Sequence, residues 1–236
     1  MLPHRLLAAT LVSRPAAILM ARALPFSRLS WSQEGEDLIL ARLLQDARRG
    51  FYVDVGAHDP FRFSNTAYFY SRGWSGINIE PDPDGCAVLR RFRPRDRTLN
   101  VGVANAPGKL TYHRFYEPAL NTFDAKLAEQ RVTRDGYPER ERMEVPVRRL
   151  ADILGEAMPA GKAIDFLSID TEGFDDRVLA SNDWERFRPR FVVAEEFGQS
   201  LFGLEGSPIT RLMADAGYVP IAKAMNSVIF RRERRS

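Results

Sequence analysis

Residues 51–60 read Phe-Tyr-Val-Asp-Val-Gly-Ala-His-Asp-Pro, and the rest of the chain can be placed relative to this stretch. Its first five residues are mostly aromatic or β-branched, which is typical of a strand buried on both faces. Gly56 then allows a left-handed backbone, and Pro60 ends any further ladder of hydrogen bonds. A buried parallel strand that ends in such a turn is where an open α/β sheet binds a nucleotide-like ligand. A purely structural turn is the alternative that this stretch alone leaves open.

The residues of the turn argue against a dinucleotide. A pyrophosphate site requires several glycines in the pattern G-x-G-x-x-G and a free helix N-terminus. This turn has one glycine, and the carboxylates of Asp54 and Asp59 would repel an anion. A cationic ligand suits the turn better, and S-adenosylmethionine carries an ammonium and a sulfonium group but no phosphate. The stretch therefore favours S-adenosylmethionine over a nicotinamide cofactor.

A second predicted strand, residues 75–81, has a carboxylate near its end. Glu80 follows Asp54 by 26 residues, about where the ribose-binding acid of a βαβ nucleotide site stands. One carboxylate can accept hydrogen bonds from both vicinal hydroxyls of a ribose. We therefore expect Glu80 to bind a ribose, and a surface acid at a strand end is the alternative.

The composition limits the functional classes. With 236 residues, 44% of them hydrophobic, the chain can bury one large core. The single cysteine, Cys86, excludes an intrachain disulfide and any multi-cysteine metal site. The formal charge of +3 arises at the ends of the chain, because 26 basic and 30 acidic residues remain without residues 1–33 and 231–235. Since the body is mildly acidic, no nucleic-acid partner is expected.

Residues 1–30 are interpreted as a separate arm. They are apolar and carry Arg5, Arg14, Arg22 and Arg28 without any acid. The arginines interrupt every apolar run before it reaches the roughly 18 residues of a spanning helix, and Arg14 breaks the core that a secretory signal needs. We expect a flexible arm or one packed on the body. An interfacial helix on acidic lipid is the alternative.

Residues 31–236 are predicted to form the domain proper, with alternating strands and helices and one insertion. Residues 84–95 are predicted to be a helix whose arginines lie on the solvated face, and residues 98–103 a third strand. Residues 116–146 are irregular, charged and long for a connection. Such insertions in compact domains are typically functional lids or disordered segments.

Four motifs together resemble the FkbM family of S-adenosylmethionine-dependent methyltransferases. In chain order they are Asp54-Val55-Gly56-Ala57, Ser64-Asn65-Thr66, Ile79-Glu80-Pro81 and Asp170-Thr171-Glu172-Gly173. The similarity runs from about Trp31 to Phe230. It implies an α/β, class I (Rossmann-like) methyltransferase fold, in which seven mostly parallel strands with an antiparallel last strand lie between helices.

The resemblance also implies roles for single residues. Asp54, Gly56 and Ala57 would hold the amino-acid end of S-adenosylmethionine, and Glu80 would hold its ribose. The end of the third strand, Val103-Ala104, would lie against the adenine. Many bacterial members of the family are associated with the assembly of surface polysaccharides or secondary metabolites and are thought to methylate sugar or related hydroxyls.

Two further predicted strands end in carboxylates, and the implied sheet makes them neighbours. Residues 164–170 end in Asp170, and residues 191–196 end in Glu195 and Glu196. Converging acids repel one another unless they are protonated, hydrogen-bonded or bound to a cation. Because oxygen ligands suit Mg²⁺, these three acids are candidate metal ligands. Related sugar methyltransferases outside the family are similar here but carry an aspartate pair.

The same residues have a plainer alternative. Asp170 would then cap the following helix, and Glu195 or Glu196 would bind only a lysine, an arginine or water. For catalysis, Asp170 is the main candidate as base or metal ligand, with Glu195 beside it. His58 suits a general base near neutral pH, or it only shapes the turn after Ala57.

The expected reaction is O-methyl transfer from S-adenosylmethionine to a hydroxyl of a sugar, glycan or glycosylated metabolite. The polar turn at residues 121–124 is expected to face this acceptor. N-methyl transfer on the same fold and a non-catalytic S-adenosylmethionine-binding module are the alternatives. We expect a cytoplasmic protein, with peripheral membrane contact through residues 1–30 as an option, and the oligomeric state is open.

Overall fold

The computed structural model describes residues 28–197 and 200–233 of the chain. These residues form ten strands, which are β1 (Phe51–Val55), β2 (Ser75–Ile79), β3 (Arg97–Leu99), β4 (Gly102–Val103), β5 (Gly108–Phe115), β6 (Glu139–Arg148), β7 (Phe166–Ile169), β8 (Phe191–Glu195), β9 (Tyr218–Ala224) and β10 (Ser227–Arg232). Seven of them make the main sheet, in the order β3-β2-β1-β7-β8-β10-β9.

β1 lies at the centre of this sheet, and all five of its residues are buried. It pairs in parallel with β2 and β7, and β7 pairs in parallel with β8. The last strand, β10, is antiparallel to both of its neighbours, β8 and β9. The predicted sheet of seven mostly parallel strands with an antiparallel last strand is therefore confirmed. Because parallel strands end at the same edge, the residues after β1, β2, β7 and β8 meet there.

Helices connect the strands and cover both faces of the sheet. They are α1 (Glu36–Leu43), α2 (Ala67–Ser71), α3 (Pro83–Phe92), α4 (Ala125–Thr133), α5 (Leu150–Ala157), α6 (Asp175–Ala180) and α7 (Pro208–Asp215), with short 3-10 turns at Pro118–Leu120 and Leu201–Gly206. Side chains cap the starts of α3, α4 and α7. Asp82 accepts from the Asp84 N–H before α3, and Ser207 accepts from the Thr210 N–H before α7.

The alternation of side chains along β1 divides the core in two. Val53 and Val55 join the larger apolar cluster, which includes residues of α5, α6 and α7. Tyr52 lies on the other face, in a cluster with Phe166 and with residues of α1 and α2. Successive strand residues point to opposite faces, so Asp54 shares the face of Tyr52 and not that of Val55.

The predicted third strand is divided between two sheets. β3 pairs with β2 in the main sheet, whereas β4 joins a smaller sheet of order β4-β6-β5. β5 and β6 are antiparallel partners over most of their length. The segment 116–146, which the sequence left irregular, therefore contains a 3-10 turn, α4 and most of β6. Most of this segment is therefore regular structure, and β6 makes it part of the smaller sheet.

One helix prediction is wrong in a detail that matters for the site. The arginines of α3 were expected in solvent, yet Arg93 at the end of this helix has 0% exposed surface. Its guanidinium turns inward and donates 2.6 and 2.8 Å hydrogen bonds to the hydroxyls of Thr66 and Ser64. Polar groups of the loop before α2 satisfy the buried charge, which explains why an arginine is tolerated inside.

The expected arm falls mostly outside the described part of the chain. Of residues 1–30, only 28–30 are described, so its flexible, packed or interfacial character stays a prediction. Across residues 28–197 and 200–233, no helix combines the length and the apolar character required to cross a bilayer.

Candidate active site

A cavity opens at the carboxyl edge of the main sheet, beyond β1, β2 and β7. It encloses about 730 Å³, open space at its mouth included, which is a usual size for a cofactor site. Its walls come from the turns after these strands, from the segment around β4 and from the insertion. The lining residues include Gly56, His58, Glu80, Val103, Tyr112, Phe123 and Asp170.

Gly56, which directly follows β1, lies against Asp170, the residue that follows β7. It has φ of +79°, and a Cβ atom there would lie 1.8 Å from the carbonyl oxygen of Asp170. Its N–H donates a 2.9 Å hydrogen bond to the carbonyl oxygen of Ile79. The turn is therefore fixed to both neighbouring strands, and a side chain has no room. Ala57 is buried behind it and lies outside the cavity lining.

Glu80 is held in place as a buried carboxylate of the cavity wall, with 3% of its surface exposed. Its Oε1 accepts from the N–H of Asp82 and its Oε2 from the N–H of His58, both at 2.7 Å. Burial raises the pKa of Glu80 to about 7, and the two N–H donors oppose this rise. Each carboxylate oxygen keeps further acceptor capacity, so the group can bind a diol in the cavity.

The structure separates the two residues that the resemblance places against adenine, and that placement stays a prediction. Val103 lines the cavity, whereas Ala104 packs away from it, against Val147 and Phe174. The strand alternation between the two residues accounts for the difference. Sequence reasoning missed the aromatic wall of this cavity, to which β5 and the insertion contribute one residue each.

That wall consists of Tyr112 and Phe123, whose ring centroids lie 4.6 Å apart. Asn121 lines the same cavity, so the polar turn at residues 121–124 forms part of the wall of the cavity that Glu80 also lines. We expected this turn at the acceptor. No local pattern predicts this wall, because Tyr112 is one of four consecutive buried residues at the end of β5.

Asp54 lies outside the cavity lining. It is buried, and its Oδ2 accepts a 2.6 Å hydrogen bond from the Thr66 hydroxyl. Burial raises the pKa of Asp54 to about 6. The structure therefore places this carboxylate beneath the loop that follows Gly56, on the face of β1 opposite to Val55.

His58 is part of the cavity wall and has a left-handed backbone, with φ of +49°. Burial lowers the pKa of its imidazole, so the ring is neutral at pH 7. Within the described residues, its Nε2 atom is buried without a hydrogen-bond partner. A neutral imidazole with a free nitrogen can accept a proton or bind a polar ligand group.

Three carboxylates converge where β7 and β8 end. Asp170, Glu172 and Glu195 each offer one oxygen within 4.8 Å of the others. Burial, followed by the charge of Glu172, raises the pKa of Asp170. Burial, followed by the charge of Asp170, raises the pKa of Glu195. In the described part of the chain, Oε2 of Glu195 has no hydrogen-bond partner.

Glu196, the third predicted metal ligand, is not in this cluster. Its side chain is buried on the opposite side of the chain and accepts a 3.3 Å hydrogen bond from the Thr210 hydroxyl. Consecutive residues at the end of β8 point in opposite directions, which separates it from Glu195. Glu172 takes its place, because a left-handed φ of +50° turns the chain back towards Asp170. Glu172 stands in the motif around Asp170, but sequence reasoning gave it no role.

The donor set fits a hard divalent cation in its chemistry, since all three groups are carboxylates and Mg²⁺ prefers oxygen. One of them is already engaged with a protein cation. Arg131 on α4 forms an ion pair with Glu172 and also donates to the carbonyl oxygen of Leu120 at 2.5 Å. The insertion is thereby attached to the acidic cluster.

Asp170 also lines a second, smaller cavity, whose volume is about 240 Å³ with open space at its mouth included. Its walls carry mostly acidic and amide groups. The lining residues are Gln33, Glu34, Glu36, Phe63, Asn65, Asp170, Glu195 and Ser227. Asp170, Phe63 and Gln33 line both cavities, so these two spaces are adjacent and share these side chains as walls.

Three solved methyltransferases are among the similar structures, each with a TM-score of 0.41. A TehB-like S-adenosylmethionine-dependent methyltransferase from Corynebacterium glutamicum is 11% identical, with 95% of this chain and 100% of that chain covered. The 1,6-didemethyltoxoflavin-N1-methyltransferase of Burkholderia thailandensis, solved with S-adenosylhomocysteine, is 13% identical, with 99% and 92% covered. An O-methyltransferase from Bacillus cereus in complex with S-adenosylhomocysteine is 11% identical, with 94% and 89% covered. Similarity at this level carries no argument about substrate or mechanism.

The comparison with curated protein sequences gave no significant match. The Methyltransferase FkbM domain, by contrast, matches residues 54–220, which is more than half of the chain. The match begins at Asp54 and includes Glu80, Asp170 and Glu195. The chain therefore belongs to the FkbM family of S-adenosylmethionine-dependent methyltransferases.

Proposed function

We propose that this methyltransferase transfers a methyl group to a hydroxyl oxygen of a sugar, glycan or glycosylated metabolite. The observation that carries the proposal is the position of Asp170, which lines both the cavity of Glu80 and the smaller acidic cavity. A methyl donor in the first space and a hydroxyl in the second would meet beside this carboxylate.

In this proposal the larger cavity holds S-adenosylmethionine. Glu80 accepts hydrogen bonds from the ribose hydroxyls, and the close turn at Gly56 borders the amino-acid end. Val103 and the aromatic pair Tyr112 and Phe123 provide an apolar wall for the adenine. An aromatic wall suits a flat heterocycle because offset and edge contacts between rings are favourable.

The smaller cavity would receive the acceptor. Its hydrogen-bonding groups are chiefly carboxylates and side-chain amides, which match the hydroxyls of a sugar. During transfer the acceptor oxygen forms a bond to the methyl carbon as the sulfur–methyl bond breaks, which leaves neutral S-adenosylhomocysteine and a methyl ether. The hydroxyl proton must leave, and Asp170 or His58 would accept it. Holding the two reactants in line provides the remaining rate enhancement.

We also propose a divalent cation site at Asp170, Glu172 and Glu195, with Mg²⁺ as the fitting ion. A bound cation would lower the pKa of an acceptor hydroxyl and orient its oxygen. Without a cation, the raised pKa of Glu195 keeps a proton in the cluster at neutral pH. Glu172 would have to share its carboxylate between the ion and Arg131. Glu196 takes no part, because it faces Thr210.

The test of the proposed reaction is methyl transfer from S-adenosylmethionine labelled in its methyl group. A panel of simple neutral glycosides offers hydroxyl acceptors, and a matched panel of amines with blocked hydroxyls offers nitrogen acceptors. Label in a base-stable ether product of the glycosides supports O-methyl transfer. Label only in the amine products would overturn it in favour of N-methyl transfer.

A further inference from the structure

Arg93 is a fully buried cation whose hydrogen bonds hold the loop between β1 and α2, beside the candidate site. Its guanidinium donates to the carbonyl oxygen of Pro60 through Nε and Nη2, at 3.0 and 2.5 Å. It also donates to the hydroxyls of Ser64 and Thr66, at 2.8 and 2.6 Å. All three acceptors belong to the connection between β1 and α2. The planar, multiple-donor shape of arginine lets one side chain hold several points of this loop.

Two carboxylates complete the network around Arg93. The Thr66 hydroxyl accepts from Arg93 and donates its single proton to Asp54, 2.6 Å away. Asp96 lies 3.9 Å from Arg93 and accepts a 2.7 Å hydrogen bond from the Tyr52 hydroxyl. Because a hydroxyl has one proton, the contact with Asp54 orients the oxygen of Thr66 towards the guanidinium. The buried charges are thereby paired and hydrogen-bonded, as burial requires.

The loop held by this network is a shared wall of the two cavities. His58 and Phe63 line the larger cavity, and Phe63 and Asn65 line the smaller one. His58 and Phe63 both have left-handed backbones, with φ of +49° and +56°. Residues other than glycine keep such angles only where their surroundings impose them. Arg93 contacts the same loop at Pro60, two residues after His58, and at Ser64, directly after Phe63.

We propose that Asp54, Thr66 and Arg93 form a positioning network for methyl transfer, in which Asp54 acts on the loop through the Thr66 hydroxyl and does not contact the cofactor. The proposal rests on the proposed placement of S-adenosylmethionine in the larger cavity. The geometry of β1 favours it, because Val55 lines that cavity and Asp54 points to the opposite face.

The test measures the Kd of S-adenosylhomocysteine by calorimetry together with the Tm of each variant. Thr66→Val and Asp54→Ala each remove the hydrogen bond between the two side chains, whereas Thr66→Ser and Asp54→Asn retain a donor and an acceptor of the same reach. Ser181→Ala is the matched control. Its buried hydroxyl accepts from the Leu150 N–H and donates to the carbonyl oxygen of Val178, and it lies outside both cavity linings.

The network predicts that Thr66→Val and Asp54→Ala raise the Kd about 10-fold, the loss expected for one buried hydrogen bond to a charged group. Thr66→Ser and Asp54→Asn should stay within about 3-fold of the wild type. Ser181→Ala should lower Tm and leave the Kd unchanged. If Thr66→Val does not fold, Asp54→Asn decides alone, because near-normal affinity supports the positioning role.

Two results would overturn the inference. Loss of binding in Asp54→Asn with normal binding in Thr66→Val would show direct contact between the carboxylate and the cofactor. If Thr66→Val lowers the Tm and leaves the Kd unchanged, as expected for Ser181→Ala, the network would contribute to stability and not to cofactor binding. Glu80→Ala distinguishes failure of the network from failure of the proposed function. Normal affinity for S-adenosylhomocysteine in Glu80→Ala would overturn the placement of the cofactor. Lost affinity in Glu80→Ala, together with normal affinity in Thr66→Val, would overturn only the network.

Discussion

The backbone N–H of His58 donates a 2.7 Å hydrogen bond to Oε2 of Glu80, so the turn after β1 and the acid after β2 are joined directly. The contact leaves Glu80 buried and oriented in the cavity, and the burial raises its pKa to about 7. An acid that is half protonated at neutral pH makes ligand affinity depend on pH.

Affinity for S-adenosylhomocysteine should therefore rise between pH 6 and pH 8. The ionised form of Glu80 is the better acceptor for ribose hydroxyls, and it accumulates as the pH passes about 7. Calorimetry across this range checks the expectation. Glu80→Gln should bind more weakly, by about 10-fold at pH 8, and should lose the pH dependence. A wild-type affinity that is flat or falls with pH would contradict the role of Glu80.

The raised pKa of Glu80 should make the stability of the fold fall with pH, whereas ligand affinity should rise. The folded state binds the proton of Glu80 more tightly than the unfolded chain, because burial raises its pKa. The contribution of this group to the free energy of unfolding should fall as the pH rises from about 4.5 through about 7. Urea unfolding of the wild type and of Glu80→Gln at several pH values isolates it as the difference between the two proteins.

Gly56→Ala should destabilise the fold by about 3 kcal/mol or more. The new Cβ atom would lie 1.8 Å from the carbonyl oxygen of Asp170, at a backbone φ of +79°. Gly108→Ala is the control, because a Cβ atom there meets nothing within 4 Å. Urea unfolding compares the two. Equal stability of both variants would mean that β1 and β7 do not approach as closely as described.

Mg²⁺ should stabilise the protein and support turnover. At a concentration about 100-fold above its Kd, a bound ion adds about 2.7 kcal/mol, or a rise in Tm of roughly 5 to 10 °C. Glu172→Gln should reduce the rise, and Glu196→Gln should keep it, because only Glu172 faces Asp170 and Glu195. An unchanged Tm with Mg²⁺ and an unchanged rate in chelator would remove the metal from the proposal.

Neutral acceptors should be methylated more efficiently than anionic ones. The smaller cavity is bordered by Glu34, Glu36, Asp170 and Glu195, and like charges placed close together cost several kcal/mol. A glycoside with a carboxylate next to the reacting hydroxyl should therefore have a kcat/KM at least about 10-fold below that of its neutral counterpart. Equal values for the two would place the acceptor elsewhere.

Residues 51–60 and the spacing to Glu80 were sufficient to predict the central strand, its turn and a carboxylate that follows the next strand at the cavity. These features depend on local composition and on short connections, which a single chain displays directly. The sequence also places Asp170 and Glu195 at the ends of predicted strands. That these strands are neighbours was predicted from the sheet that the family resemblance implies, and the structure confirms the pairing. The class of the sheet was likewise predicted from the resemblance, and the observed strand order confirms it.

Other features depend on which way a side chain points and on contacts between distant segments. Glu172 replaces Glu196 in the acidic cluster because a left-handed residue reverses the chain, while strand alternation turns Glu196 away. Arg93 looked like a solvated helix residue, yet the loop before α2 offers it enough acceptors to be buried. The aromatic wall of Tyr112 and Phe123 exists only because the insertion folds back over the sheet edge, and such long-range closure leaves no local pattern in the sequence.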